Sequence, residues 1–223
     1  MDTTSLHLLR TEVFEIPNPD MTIEVVSEDV KIIASVDGRC HIEIFAKSES
    51  AKHMADLIDI NATGDKILVH LRRKGGGLKQ LVHGHLSHLS VLVQIPTSST
   101  LKIKNISGDV EVGQSIKKLE ATTISGDISV LQNPSEMCTL NSISGDITAR
   151  TFSGCHYSLR SISGDIKVHV APNLDIDVDG KSISGDMKSE ISLDSNGSAG
   201  SDVSEVVVIT ANTISGDFAL VRN

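Results

Sequence analysis

Aromatic residues are nearly missing from this chain: 2% of 223 residues, with no Trp, one Tyr and four Phe. Sugar clefts and single-stranded nucleic-acid platforms lean on aromatic faces for stacking, so both functions start at a disadvantage. Positive charge is also in deficit. Twenty Lys and Arg face 29 Asp and Glu, a formal charge of −9. Phosphate backbones are held by Lys and Arg that release counterions, which excludes nucleic acid as a partner. Cysteine is sparse, with Cys40, Cys138 and Cys155 in no Cys-x-x-Cys spacing. That is no disulfide framework, and it fits a reducing compartment. The first ten residues, Met1 to Arg10, lack the basic start and apolar centre of a secretory signal. No run approaches the ~18 apolar residues of a membrane span. The expectation is a cytoplasmic protein, with association at the cell envelope as the alternative. Catalytic signatures are missing as well: neither a Gly-x-Ser-x-Gly elbow nor a His-Glu-x-x-His pair occurs.

What the chain has in abundance is one word. Ile-Ser-Gly-Asp occurs six times, beginning at Ile106, Ile124, Ile143, Ile162, Ile183 and Ile214, at intervals of 18, 19, 19, 21 and 31 residues. Five and three residues before each Ile stand mostly apolar pairs: Leu101/Ile103, Leu119/Ala121, Cys138/Leu140, Tyr157/Leu159, Val178/Gly180 and Ile209/Ala211. Polar residues separate them, the period-2 signature of a half-buried strand. Alternation resumes after the tetrapeptide with Val110/Val112, Ile128/Val130, Ile147/Ala149, Ile166/Val168, Met187/Ser189 and Phe218/Leu220. The fifth copy is underfilled by Gly180 and Ser189. Between the two strands the inward parity flips, which requires a bend. The tetrapeptide therefore predicts a corner, with its Ile turned into the core and its Gly adopting a backbone conformation closed to other residues.

Equal words at one-coil intervals are what a parallel β-solenoid produces, each coil lying about 4.8 Å above the last. The predicted fold is all-β: a β-helix or β-roll of 18–21 residues per coil, right-handed because parallel crossovers are. The isoleucines would stack as a ladder. Residues 97–223 hold the repeats. Residues 1–96 carry less regular strands, at 13–16, 22–26, 30–33, 41–45, 66–70 and 90–95, with turns at Asp37-Gly38 and Thr63-Gly64-Asp65. This half is expected to start and cap the stack, with a short helix over 48–56. The Ser/Gly-rich stretch 192–201 predicts a loop inserted between coils.

A strand closing on Val91-x-Val93-x-Ile95-Pro96, followed by Ser-Gly-Asp-Ile/Val units, resembles the bacterial "putative adhesin" β-strand-repeat family of unknown function. The resemblance implies a β-solenoid and supplies no catalytic residues and no cofactor.

Three clusters are candidate sites. Asp109, Asp127, Asp146, Asp165, Asp186 and Asp217 would line one edge; they are expected to accept turn N–H groups or bond the neighbouring serines, with a Ca²⁺ site as the alternative. His83, His85 and His88 form a possible Zn²⁺ cluster whose plainer reading is a solvated loop. Arg72, Arg73, Lys74 and Lys79 make a basic patch in a glycine-rich loop, able to meet an anionic partner or membrane surface. The reading is a non-enzymatic structural or protein-interaction module, self-associating end to end through Ile214, Phe218 and Leu220 of an uncapped last coil. A metal- or ligand-dependent adhesin or envelope sensor is the alternative, and a carbohydrate-active β-helix enzyme stands third.

Overall fold

Alternating apolar and polar residues carry every regular segment into a strand, and no helix occurs among the described residues. The computed structural model describes residues 6–48, 58–71, 89–172, 174–191 and 206–222. The histidine segment, the basic stretch 72–79, the Ser/Gly-rich segment 192–201 and residues 49–56 of the expected helix lie outside these. Ser48 itself sits in a bend.

The first strands are β1 (His7–Phe14), β2 (Asp20–Glu24), β3 (Asp29–Ala34), β4 (Cys40–Ala46), β5 (Ile58–Thr63), β6 (Lys66–Leu71) and β7 (Leu89–Ile95). Of these, β5 had no counterpart in the sequence reading; half its residues are exposed and its sequence alternates poorly. The expected turns stand: Gly38 and Gly64 alone among the described residues have positive φ, at 76° and 63°.

The repeats then alternate between two sheets. Strands β8 (Thr100–Lys104), β10 (Lys118–Thr122), β12 (Met137–Asn141), β14 (Cys155–Arg160), β16 (Asp175–Ser182) and β18 (Val206–Thr213) precede the tetrapeptides. Strands β9 (Val110–Val112), β11 (Ile128–Val130), β13 (Ile147–Thr151), β15 (Ile166–Val170), β17 (Met187–Ser189) and β19 (Phe218–Arg222) follow them. One sheet has the order β1-β4-β7-β3-β9-β11-β13-β15-β19-β17; the other runs β16-β18-β14-β12-β10-β8-β2-β6-β5. All pairings within the repeats are parallel and in register, as in Leu101↔Leu119↔Cys138 and Val110↔Ile128↔Ile147. The antiparallel pairs β1/β4, β4/β7 and β5/β6 gather at one end.

Each rung thus places one residue of a kind over its counterpart below. The column Leu101, Leu119, Cys138, Tyr157 and Ile209 is buried in one sheet, facing Val110, Ile128, Ile147, Ile166 and Phe218 in the other. A fully buried aliphatic side chain contributes roughly 1.5–3 kcal/mol, and the two columns share that burial along the whole stack.

The rungs do not stack in chain order. Strand β18 lies between β14 and β16, and β19 between β15 and β17. The last tetrapeptide therefore belongs to an interior rung, and the fifth copy forms the end rung among the described residues. This corrects the expectation of an uncapped coil at 214–220: Phe218 and Leu220 are buried, at 4% and 1% exposure, and only Ile214 faces outward. The underfilled fifth copy is at the edge for a physical reason. The side chain of Met187 lies where a Cβ on Gly180 would stand, so a thioether covers the end of the core at the rung that lacks inward bulk.

Candidate functional site

The six corners form one continuous edge of the molecule, and their geometry differs from the expectation in an instructive way. The isoleucines do not enter the core. Ile106, Ile124, Ile143, Ile162 and Ile214 are 39–47% exposed, and Ile183 in the end rung reaches 79%. Turned inward are the residue before the Ile and the Gly two after it, so Ile and Ser together occupy the outside of the bend. The parity flip is real, but it spans two outward residues.

The inward residue preceding each Ile is small and polar because it caps the corner. Thr123 Oγ1 accepts the Gly126 N–H at 3.0 Å, and Ser142, Ser161 and Thr213 do the same for Gly145, Gly164 and Gly216 at 2.8, 2.9 and 3.0 Å. Asn105 goes further, donating Nδ2–H to the carbonyls of Glu28 and Gly108 at 2.9 and 2.8 Å. No buried side-chain polar atom among the described residues is left without a partner.

Glycine is needed for proximity. None of the tetrapeptide glycines has a positive φ. A Cβ built on Gly126, Gly145, Gly164 or Gly216 would land on the carbonyl of the glycine in the rung beneath, 2.6 Å from its carbon. The rungs touch, glycine to glycine, along the whole edge.

Serine and aspartate tie the rungs together. The Ile106 carbonyl accepts the N–H groups of Ile124 and Ser125 at 3.2 and 2.9 Å, with the Ser125 hydroxyl at 3.3 Å. The carboxylate Oδ1 of each Asp but Asp186 accepts the backbone N–H of the Asp in the next rung. The series runs Asp109 to Asp127, Asp127 to Asp146, Asp146 to Asp165, Asp165 to Asp217 and Asp217 to Asp186, at 2.8–3.0 Å. Like charges at about 4.8 Å repel; here every carboxylate but that of Asp186 is compensated by an N–H of its neighbour, a charge-assisted bond roughly twice as strong as a neutral one. Lys188 adds an ion pair to Asp186 at 3.3 Å.

The ladder has a seventh member. Asp29 Oδ1 accepts the Asp109 N–H at 3.1 Å, and the Val26 carbonyl accepts the N–H groups of Ile106 and Ser107 at 3.2 and 2.8 Å. Val26-Ser27-Glu28-Asp29 is the same corner with Glu in the glycine place. Its signal in the sequence is an apolar-Ser-x-Asp word that lacks the Gly of the other six. Glu28 is 1% exposed, and its Oε2 accepts the N–H groups of both Val26 and Ser27 at 2.9 Å. In the next two rungs the equivalent donors, Ile106 with Ser107 and Ile124 with Ser125, bond the carbonyl of the rung beneath, and in the later rungs the Ser N–H does. Glu28 supplies an acceptor from its own side chain at the first of these corners among the described residues.

Among the described residues, no three of His, Cys, Asp and Glu converge as a metal site. The aspartates lie in single file, and all but Asp186 spend an oxygen on the backbone of the next rung. His83, His85, His88 and the cations Arg72, Arg73, Lys74 and Lys79 lie outside the described residues. The thiols are packing groups: Cys40, Cys138 and Cys155 are all buried, and burial pushes Cys40 and Cys155 up to about 12 and Cys138 well above the ordinary thiol range. A thiolate is the reactive form. The native protein at pH 8 is therefore expected to give no colour with a thiol reagent, and three equivalents after denaturation.

Two solved structures share this architecture across nearly their whole lengths. A "putative cell adhesion protein" of Clostridium sporogenes aligns with a TM-score of 0.56 at 8% identity, over 96% of this chain and 99% of that one. A "putative adhesin" of Bacteroides fragilis gives 0.52 at 12% identity, over 99% of each. At such identities the likeness is one of fold. No curated protein matches in sequence. The family model described as Toastrack DUF4097 matches twice, over residues 18–153 and 99–221. The offset of the two matches reflects the repeat itself, and together they span both sheets: the chain belongs to the Toastrack DUF4097 family.

Proposed function

We propose that the chain is a non-enzymatic interaction module, a right-handed β-solenoid with 18–21 residues per coil whose end rung accepts a partner's strand. One observation carries this reading: the repeated polar groups of the corner are engaged with backbone, Ser to the carbonyl and Asp to the N–H of a neighbouring rung, and the preceding residue to the Gly N–H of its own corner. Groups bound in that way across every copy are spacing elements, not acids, bases or ligands awaiting a substrate. The adhesin names of the two structural relatives point in the same direction. A cytoplasmic location belongs to the proposal, supported by three unpaired cysteines.

The contact surface is the rung β16–β17. Strand β16 presents half-buried Ile176 and Val178 and, among the described residues, has one hydrogen-bonding edge without a neighbouring strand, which is a template for strand addition, whether by another protein or by a second copy. Val178→Lys puts an inward-pointing charge at that edge, the device by which natural sheets refuse partners. Strand-mediated assembly, followed by light scattering across a concentration series, is expected in the parent chain and lost in Val178→Lys. Titration calorimetry with Ca²⁺ and Zn²⁺ tests the alternative. Saturable heat with Ca²⁺ that disappears in Asp146→Asn would replace this reading with a metal-dependent adhesin, and polysaccharide cleavage abolished by Asp165→Asn would replace it with an enzyme.

A further inference from the structure

Five of the six tetrapeptide isoleucines stand about four-tenths exposed in consecutive rungs, and the sixth, Ile183, stands further out. Their order along the edge is Ile106, Ile124, Ile143, Ile162, Ile214, Ile183, because each carbonyl bonds the corner of the next rung in that order. At about 4.8 Å per rung the five steps make a straight apolar ridge roughly 24 Å long. Contiguous exposed apolar strips of this kind mark interaction sites. The core does not use this ridge, and neither does the strand-accepting end described above.

Two features name its occupant. The first is period. A helix repeats every 5.4 Å and an extended strand every 6.6–6.8 Å, so either slips out of step with the ridge within a few rungs. Only another stack of rungs keeps the same spacing along its whole length. The second is charge. On one side of the ridge runs the column Asp109, Asp127, Asp146, Asp165, Asp217 and Asp186. On the other side, two residues before each Ile, stand Lys104, Thr122, Asn141, Arg160, Asn212 and Lys181 in the same rung order. Every member of the second column can donate a hydrogen bond and none is acidic.

We propose that the isoleucine ridge is a lateral self-association surface, on which a second copy packs ridge to ridge about a two-fold axis parallel to the stack. That axis carries the aspartate column of one copy onto the donor column of the other at the same level, pairing Asp165 with Arg160 and Asp186 with Lys181 across the contact. A two-fold perpendicular to the stack would set aspartates against aspartates. At the Val26 rung both columns are acidic, with Glu24 and Asp29, but each is already paired: Glu24 to Lys104 at 2.7 Å, and Asp29 to Lys47. The proposal rests on the reading of the chain as an interaction module and uses a different surface. A strip about 24 Å by 10 Å is far smaller than the ~800 Å² per partner of a standard interface. The dimer is therefore weak, forms at high protein concentration, and loosens as salt rises.

The test is sedimentation across a concentration series in the Val178→Lys background, which blocks the strand-accepting end. The parent ridge is expected to give a dimer, weakened at least tenfold by Ile143→Lys and again by high salt. Ile106→Cys then fixes the arrangement, since the native thiols are buried. Mild oxidation is expected to join Ile106→Cys chains to one another. A monomer at every concentration, or a dimer indifferent to Ile143→Lys, overturns the proposal. So does cross-linking that succeeds only between Ile106→Cys and Ile183→Cys chains, the signature of antiparallel stacks. Failure here leaves the strand-accepting end untouched, because that end is read from Val178→Lys alone.

Discussion

Gly145→Ala is expected to be the most damaging single methyl group that can be added to this chain. The new Cβ would fall on the Gly126 carbonyl, 2.6 Å from its carbon, and neither partner can yield. The obstacle is backbone, fixed above and below by parallel pairing, in which β13 is held between β11 and β15. Relief would require opening the gap between two rungs, and with it the hydrogen bonds of Asp146 N–H to Asp127 and Ser144 N–H to the Ile124 carbonyl. Overpacking usually costs about 1–3 kcal/mol, and with these bonds strained the loss is expected at roughly the top of that range or above. Urea unfolding followed by circular dichroism measures it. The control is Gly38→Ala, at a glycine whose Cβ meets nothing within 4 Å and whose cost comes from its positive φ of 76°; its loss should be smaller, about 1 kcal/mol. Equal losses at the two sites would show that the rungs can separate at the corner, contrary to the close glycine stack.

The second large effect is expected from Glu28. Alanine there strips the carboxylate oxygen that accepts the Val26 and Ser27 N–H groups. Leaving a buried donor unsatisfied costs roughly 1–3 kcal/mol, and two donors share this one oxygen. A loss of about 3 kcal/mol is expected for Glu28→Ala, and a smaller one for Glu28→Gln, which keeps an acceptor but loses the charge that strengthens it. Glu28→Gly restores the letter of the tetrapeptide yet should be as harmful as alanine, since it too removes the carboxylate that accepts those donors. If the glycine variant were as stable as the parent, Glu28 would be an ordinary corner residue whose carboxylate is dispensable.

The sequence carried most of this fold because a solenoid writes its geometry as repetition. The inward pairs, such as Leu119/Ala121 and Ile128/Val130, follow from period-2 alternation alone, and their stacking follows from the near-constant interval. Two kinds of information were not local. An Ile beside a polar residue looks like a core position by hydrophobicity, and only the small size of Asn105, Thr123 and Ser142 hinted that they, not the isoleucines, fit inside a bend capped by their own side chains. The order of the last two rungs is likewise invisible: nothing in Ile183 or Ile214 says which lies outermost, because each copy is chemically able to sit on any other. The clue was the thin inward face of the fifth copy, Gly180 and Ser189, which suits an end rung. Glu28 escaped notice for the opposite reason, being a departure from the word that works only because of where it stands.

The insertion of β18 and β19 beneath β16 and β17 also bears on how the chain is made. Synthesis delivers residues from the N-terminus onward, so β16 and β17 emerge while their final neighbours do not yet exist. They must either wait undocked or settle temporarily on β14 and β15, then be lifted away when the later strands arrive. Maturation of the final two rungs is thus a late, long-range step, and the nascent chain passes through a stage in which its growing tip is one storey short.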